Sequence, residues 1–293
     1  MPTLKEIKGR IGSVKSTLKI TSAMKLVSSA KLHKAQQATE AMRPYEETLQ
    51  HMLAMVSDGS RVQEADTVSG AESSVMPGSD RASKPTAIVA MASNSSLCGG
   101  FNANVIAKVR SVRQPGDVIF SVGRKMADAM RREGFLTPED LNSLVEHPAY
   151  APAAALVEKL AKDMEEGRYA RVLLVYTHFV STARQVPVVE QLLPMAVISS
   201  EVGKSEKEDT DILIEPGRHE LLESLLPKTI KLKLYSALLD SVAAEHAART
   251  VAMQTATDNA ENLLAELTLQ YNKGRQQKIT SEILDLAGGQ AEQ

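Results

Sequence analysis

Apolar residues near the N-terminus recur at alternating steps of three and four. The first of them are Leu4, Ile7, Ile11, Val14 and Leu18. This spacing predicts the a/d seam that a helix presents to a partner helix. The same steps then reach Thr21, Lys25, Ser28, Leu32 and Ala35. Because a buried Lys must be paired or hydrated, this polar middle is either exposed or faces something that binds it. A break is expected at Arg43-Pro44, with resumption of the helix possible toward Val56.

A second helical pattern occupies the C-terminal part of the chain. From Lys228 to Asp285 there is no Pro and only Gly274, and Pro227 suits the first turn of such a helix. These 58 residues would span roughly 87 Å at 1.5 Å per residue. The Ala-rich middle favours a slim helix that another backbone approaches closely. We therefore expect the two terminal helices to bury their seams on each other.

The central residues have a different pattern, in which short apolar runs alternate with helical stretches. The runs are 86–93, 117–123 and 171–181, and the helical stretches are 102–113, 124–134 and 152–167. This alternation predicts a Rossmann-like, mainly parallel sheet. Residues 187–195 fit an antiparallel edge strand with Pro187 and Pro194 at its limits.

These patterns divide the chain into five segments. They are an N-terminal coiled-coil helix (1–56), a flexible insert (57–84), an α/β domain (85–198), a charged loop (199–215) and a C-terminal coiled-coil helix (216–293). The predicted fold class is α/β with a long antiparallel two-helix coiled coil formed by the chain ends.

The overall charge of −2 does not favour nucleic-acid binding. The N-terminal helix is locally basic, with eight Lys or Arg and one acid between Lys5 and Lys34. Cys98 is the only cysteine, which excludes an internal disulfide. The sequence contains no run of 18 apolar residues, so no membrane-spanning helix is predicted.

The sequence offers no catalytic or metal-binding constellation. The histidines lack HxxxH spacing, and no phosphate-binding GxxxxGK[ST] motif occurs. The turn SLCGGFN (96–102) follows a predicted strand, but it lacks the GxGxxG spacing of a nucleotide-binding turn. A tight strand-to-helix turn is the favoured interpretation, and we expect no cofactor, metal or catalytic residue.

Three separate stretches carry a resemblance to a known family. They are RIGSVKSTLKITSAMKLVSSAKL, ASNSSLCGGFNANV and ATDNAENLLAELTLQYNKGRQQKITSEILDLAGG. These stretches, in this order, resemble the gamma subunits of F-type ATP synthases. The resemblance extends along the chain from residue 2 to the end. The resemblance implies a rotating central stalk, not itself catalytic, that couples ion flow through a membrane rotor to ATP synthesis or hydrolysis at beta subunits.

The resemblance also implies partners and contact residues. The partners would be the alpha, beta and epsilon subunits and the membrane rotor ring, with no nucleic acid, at the cytoplasmic face of the bacterial plasma membrane. Contact with beta subunits would fall on Met24, Lys25, Arg275, Gln276 and Thr280. An apolar bearing at the C-terminus would hold Ile283, Leu284 and Leu286.

The α/β domain would then form a foot on the epsilon subunit and rotor ring. Its characteristic turn would contain Leu97, Cys98, Gly99, Gly100 and Asn102. The family usually has Asp followed by Arg or Lys before this Leu-Cys-Gly, whereas this chain has Asn94, Ser95 and Ser96. Two other interpretations stay open: a Rossmann-like nucleotide-binding enzyme with a helical dimerisation arm, and a coiled-coil tether that does not rotate.

Overall fold

The computed structural model describes residues 3–57, 84–135, 138, 140–194 and 217–289. The predicted charged loop (199–215) lies outside the described residues, as does the predicted insert (57–84) apart from its first and last residues. The chain forms two compact units. Unit 1 contains Met1–Ala30 and Arg249–Gln293, and unit 2 contains Lys31–Ala248.

Six helices and four strands make up the described residues. They are α1 (Leu4–Ser57), β1 (Thr86–Met91), α2 (Phe101–Val112), β2 (Val118–Val122), α3 (Arg124–Arg132), α4 (Asn142–Glu146), α5 (Tyr150–Glu165), β3 (Arg171–Ser181), β4 (Arg184–Leu193) and α6 (Arg218–Gly289). The sequence pattern did not predict α4, since five residues are too few to show a helical period.

The sheet of unit 2 has the strand order β2-β1-β3-β4. β1 pairs in parallel with both β2 and β3, and β4 is antiparallel to β3. This confirms the predicted mainly parallel sheet with an antiparallel edge strand. The edge strand begins earlier than expected, so that Pro187 lies inside β4 opposite Thr177. An edge strand tolerates this proline because its missing N–H is not required by a second neighbour.

Both faces of the sheet are covered. One face packs β1, β3 and β4 side chains against α5 and against Leu234 and Leu238 of α6. The other face packs Ile88 and Val175 against α2 and α3, chiefly through Val105 and Met126. Burial on both faces explains why β1 is a continuous apolar run without alternation.

Two expectations about proline are wrong. α1 continues through Pro44, and α6 begins at Arg218, nine residues before Pro227. A proline inside a helix costs about 3 kcal/mol. Next to these positions, α1 and α6 bury a cluster built on Leu49, Leu53, Leu225 and Leu232. At roughly 1.5–3 kcal/mol per buried leucine, this packing outweighs the loss.

Within unit 2 the two helices run antiparallel. Leu32 and Ala35 cluster with Val242, Ala243 and Ala247, whereas Leu49 and Leu53 cluster with the earlier α6 residues Leu225 and Leu232. Between these clusters the Ser236 hydroxyl donates to Glu46 Oε2 at 3.1 Å.

Candidate functional site

The two chain ends also pair in unit 1. The Thr257 hydroxyl donates to Thr21 Oγ1 at 3.0 Å, and Lys25 Nζ donates to Gln254 Oε1 at 2.9 Å. Nearer the N-terminus, a β-carbon on Gly274 would lie 3.1 Å from Leu4 Cδ2. As residue numbers rise along α1, those of the α6 partners fall. This confirms the predicted antiparallel coiled coil of the N- and C-termini.

The predicted seam of α1 is the face that is withdrawn from solvent. All ten positions from Leu4 to Ala35 that follow the steps of three and four are buried or half-buried. A matching repeat on α6 was missed at the sequence level. Between residues 257 and 274 the positions that are not exposed are Thr257, Ala260, Leu264, Leu267, Tyr271 and Gly274. Their regular spacing could have revealed the second seam.

The polar middle of the α1 seam faces α6. Thr21 and Thr257 are 8% and 6% exposed, so their hydroxyls need partners inside the protein. Thr257 donates to Thr21 Oγ1, and Thr21 donates to Leu18 O at 3.1 Å. Lys25 is half-buried and bound to Gln254, whose amide donates in turn to Asp258. These polar side chains are therefore part of the pairing surface.

A capping box fixes the first residue of α1. The Thr3 backbone N–H donates to Glu6 Oε2 at 2.9 Å, and the Glu6 N–H donates to Thr3 Oγ1 at 3.3 Å. Gly274 of α6 lies opposite Leu4, the first residue of α1. From there α6 continues to Gly289, past the start of α1. In this final stretch Ile279, Ile283 and Leu284 are 46%, 59% and 65% exposed.

The five residues expected to contact beta subunits fall into two groups. Met24 and Lys25 are half-buried on α1, at the level of Gln254. Arg275, Gln276 and Thr280 are exposed on α6 beyond the start of α1. From Gln254 to Arg275 an α-helix rises about 32 Å. These five residues thus lie at two separate places along unit 1, where the sequence suggested one polar band.

The expected bearing residues lie at the end of α6. Ile283 and Leu284 present large apolar surfaces to solvent, an arrangement typical of a surface that another chain covers. Leu286 belongs to the helix, but its side chain lies outside the described part of the structure. The stretch also contains cations, of which Lys278 forms an ion pair with Glu282 at 3.6 Å.

The turn between β1 and α2 is tight, as expected. Leu97 and Gly99 have φ values of 68° and 57°, a region that an L-residue other than Gly rarely adopts. Asn102 braces the turn. Its Oδ1 accepts the Ser93 backbone N–H at 3.0 Å, and its Nδ2 lies 3.1 Å from Cys98 Sγ. Gly100 caps α2 without a side-chain hydrogen bond.

Asn94 occupies the position where the resembled family usually has Asp. Its Oδ1 accepts the Arg124 backbone N–H at 2.9 Å. Its Nδ2 donates to Asn142 O at 2.9 Å and to Glu146 Oε1 at 3.1 Å. An Asp would place a second carboxylate against Glu146 and leave the Asn142 carbonyl without this donor. The amide therefore suits its neighbours here.

An apolar contact between the β1–α2 turn and α6 lies near the place where a nucleotide would bind. In open α/β sheets, ligands bind beyond the carboxyl ends of the strands where the strand order reverses, which here lies between β1 and β3. Cys98 and Phe101 of the turn cluster at that place with Ala244 of α6, and Phe179 and Ala248 pack against them. This arrangement does not support the nucleotide-binding alternative.

Among the described residues, no cluster of three or more His, Cys, Asp or Glu side chains is placed to hold a metal ion. None of the helices, as far as the structure describes them, contains a stretch long and apolar enough to cross a bilayer.

The chain ends of this protein pair as an antiparallel coiled coil beside an α/β domain. Its candidate site is the exposed surface of α6 near the C-terminus. The chain belongs to the ATP synthase family, whose model matches residues 3–291. It is 44% identical to the ATP synthase gamma chain of Phocaeicola vulgatus, with 99% of each chain covered. It is 40% identical to the ATP synthase gamma chain of Flavobacterium johnsoniae, over 99% of this chain and 98% of that one.

Solved structures of ATP synthases share the fold. One is the rotor of the Euglena gracilis mitochondrial ATP synthase, with a TM-score of 0.62 and 19% identity over 94% of this chain and 98% of that one. Another is the central stalk and c-ring of the Tetrahymena thermophila enzyme, with a TM-score of 0.55 and 22% identity over 81% of this chain and 99% of that one.

Proposed function

We propose that this chain is the central stalk of a bacterial ATP synthase. It rotates inside a ring of alpha and beta subunits and couples ion flow through the membrane rotor to ATP synthesis or hydrolysis at the beta subunits. The chain itself has no catalytic role. Segments 1–56 and 216–293 form the rotating pair, and the α/β domain (85–198) meets the epsilon subunit and rotor ring. The complex lies at the cytoplasmic face of the plasma membrane, and this chain is peripheral to it.

The observation that carries the proposal is the end of α6 after Gly274, which has no partner helix among the described residues and is called the unpaired end. After Gly274, opposite the first residue of α1, the helix continues to Gly289 with Ile279, Ile283 and Leu284 exposed. Exposed large apolar side chains on one helix are costly unless another chain covers them. A bearing formed by the surrounding subunits would cover these three side chains.

The basic face of α1 supports the same proposal. Lys5, Lys8, Lys15 and Lys19 lie within about 80° of one another around the helix, and all four are exposed. A partner with acidic loops would be steered and oriented by these charges, which affect encounter and specificity more than raw affinity.

Coupling follows from the asymmetry of unit 1. Around its axis the pair presents α1 on one side and α6 on another, and beyond Leu4 the described part of unit 1 consists of α6. As it turns, each beta subunit meets a different set of side chains. Different contacts stabilise different conformations of that subunit, which is the requirement for coupling rotation to nucleotide binding.

Substitution of Arg275 tests the proposal in the assembled complex. Arg275→Ala removes a planar cation from the exposed α6 surface, and Arg275→Lys keeps the charge as a matched control. We expect Arg275→Ala to reduce ATP-driven ion transport per ATP hydrolysed, with Arg275→Lys intermediate. Unchanged transport in both variants, and in Gln276→Ala, would favour the non-rotating tether. Catalysis by this chain is tested separately, because ATP turnover by the purified chain alone would contradict the proposal.

A further inference from the structure

β3 extends beyond its pairing with β1 and there forms a two-stranded ribbon with β4. Its pairing with β1 ends at Val175, whereas its pairing with β4 continues from Tyr176 to Ser181. We call residues 176–181 and 184–188 the ribbon. It crosses α6 at the level of Asp240, inside unit 2.

Asp240 of α6 binds the ribbon with both carboxylate oxygens. Oδ1 accepts the Phe179 backbone N–H at 3.0 Å, and Oδ2 lies 2.5 Å from His178 Nδ1. The Asp240 side chain is 15% exposed and the His178 side chain 53% exposed, so the bond to the Phe179 N–H is the more shielded of the two. Hydrogen bonds to an ionised acceptor are about twice as strong as neutral ones.

The following turn of α6 is in close contact with the rest of unit 2. Ala243, Ala244 and Ala247 are at most 2% exposed. They cluster with Phe179 of the ribbon, and Ala244 also with Cys98 of the β1–α2 turn. Their small side chains allow the ribbon and the turn to approach the helix backbone.

Asp240 reaches the α/β domain through a short side chain, whereas Lys231 and Lys233 of α6 reach Glu158 and Glu190 through long, flexible ones. Leu234 and Leu238 are buried in the core, but apolar packing has no directional preference. Lys233 and Glu190 form an ion pair at 3.0 Å in which both side chains are about one-third exposed, and such pairs contribute little. The hydrogen bond from the Phe179 N–H to Asp240 is both partly shielded and directional.

We propose that Asp240 is the positioning residue that fixes the rotational angle of α6 relative to the α/β sheet, through the ribbon at His178 and Phe179. The role in torque transfer rests on the proposed function. The attachment itself does not, because it is a property of unit 2. During rotation, torque passing between α6 and the α/β domain would load these two hydrogen bonds first.

The first test measures the attachment in the purified full-length chain. The Phe179 amide binds Asp240, so its hydrogen exchange reports that contact. In Asp240→Ala we expect this amide to exchange at least about tenfold faster, since a hydrogen bond to a charged acceptor is lost. Asp240→Asn keeps an acceptor oxygen and should retain most of the protection. Unchanged exchange in Asp240→Ala would overturn the inference.

The second test measures ion transport per ATP hydrolysed in the assembled complex. Asp163→Ala is the matched control, because Asp163 is a buried carboxylate of α5 that binds Arg168 at 2.9 Å. We expect Asp240→Ala to lower the ratio at least about twofold, with Asp240→Asn and the control close to the parent chain. Equal losses in Asp240→Ala and Asp163→Ala would overturn the inference, since general destabilisation would explain both.

The two proposals can fail separately. If the parent complex shows no coupled transport, the proposed function fails, whatever Asp240 does. Suppose instead that the parent complex shows coupled transport, and that Asp240→Ala keeps full coupling although its Phe179 amide exchanges faster. The role of Asp240 in torque transfer is then wrong, and the proposed function still stands. Should Asp240→Ala not assemble, His178→Ala removes one of the two hydrogen bonds and is expected to give a partial loss. Full coupling in that variant would overturn the inference.

Discussion

Gly274 of α6 lies against Leu4 of α1, so that a β-carbon at residue 274 would come within 3.1 Å of Leu4 Cδ2. This contact marks where the antiparallel pair begins. Glycine leaves room here for the Leu4 side chain, although inside a long helix it costs about 1 kcal/mol relative to Ala.

Substitutions at Gly274 should therefore depend on size. Ala gains helix propensity, and the half-exposed Leu4 side chain can shift by a few tenths of an ångström. Gly274→Ala should be neutral or stabilising by up to about 1 kcal/mol, whereas Gly274→Val should displace Leu4. Hydrogen exchange in the first turns of α1 measures this effect, and Gly274→Val should accelerate it. Gly9→Ala is the control, because a β-carbon there meets no atom within 4 Å.

Replacing Thr21 and Thr257 together by Val should destabilise the protein less than replacing Thr21 by Ala. Each hydroxyl has a backbone acceptor of its own helix in reach, Leu18 O for Thr21 and Met253 O for Thr257. Replacing both residues by Val keeps the shape and removes both buried polar groups, so the change in unfolding free energy should be within about 1 kcal/mol. Thr21→Ala leaves a void and should cost more. Thermal unfolding of the parent chain, the two single Val variants, the double Val variant and Thr21→Ala tests this prediction. A loss of unfolding free energy above about 2 kcal/mol in the double Val variant would contradict it.

Stability should depend on pH through Asp240. Burial raises the pKa of its carboxyl above the ordinary 3.8, although hydrogen bonds from His178 and the Phe179 N–H oppose the rise. The folded state therefore binds this proton more tightly than the unfolded state. The resulting stability is present below pH 3.8 and is lost as the pH rises through the folded pKa.

Asp240→Asn stays neutral at every pH and isolates this effect. Its free energy of unfolding relative to the parent chain should increase between acid and neutral pH. Denaturant titrations at a series of pH values measure the difference. A constant difference, or one that falls toward neutral pH, would show that burial does not dominate this carboxyl.

Removing the unpaired end of α6 should separate folding from assembly. A chain that stops after Lys278 keeps the whole seam from Met253 to Gly274, so its melting temperature should match that of the full chain. Because it lacks Ile283 and Leu284, it should bind the surrounding subunits less tightly. Thermal unfolding and co-purification with alpha and beta subunits test the two parts. A large drop in melting temperature would show that these residues stabilise the fold itself.

The spacing of apolar residues in the sequence is enough to predict the seam of α1 and the strands of the sheet. The α1 seam from Leu4 to Ala35 follows from steps of three and four, and the strands follow from apolar runs. Pro44 and Pro227 misled the prediction, because the leucine cluster that compensates for them is formed by residues distant in sequence. Propensity is a weak prior where such packing exists.

The candidate site was only partly predictable for the same reason. The tight turn at Leu97–Asn102 is visible in its glycines, but its contact with Ala244 is not, since an alanine in a helix carries no signature of what it touches. Likewise, nothing near Asp240 in sequence points to His178 and Phe179. The separation of Lys25 from Arg275 needed the register of the two helices, which Thr21 and Thr257 establish.

Rotation of this chain within its complex is the most direct test of the account. Thr182 lies in the exposed tip of the ribbon, and the native Cys98 is buried, so Thr182→Cys provides a single site for attaching a probe. With the alpha and beta subunits fixed to a surface, ATP should drive stepwise rotation of the probe in one direction. ATP hydrolysis by the same complexes with a stationary probe would contradict the central claim.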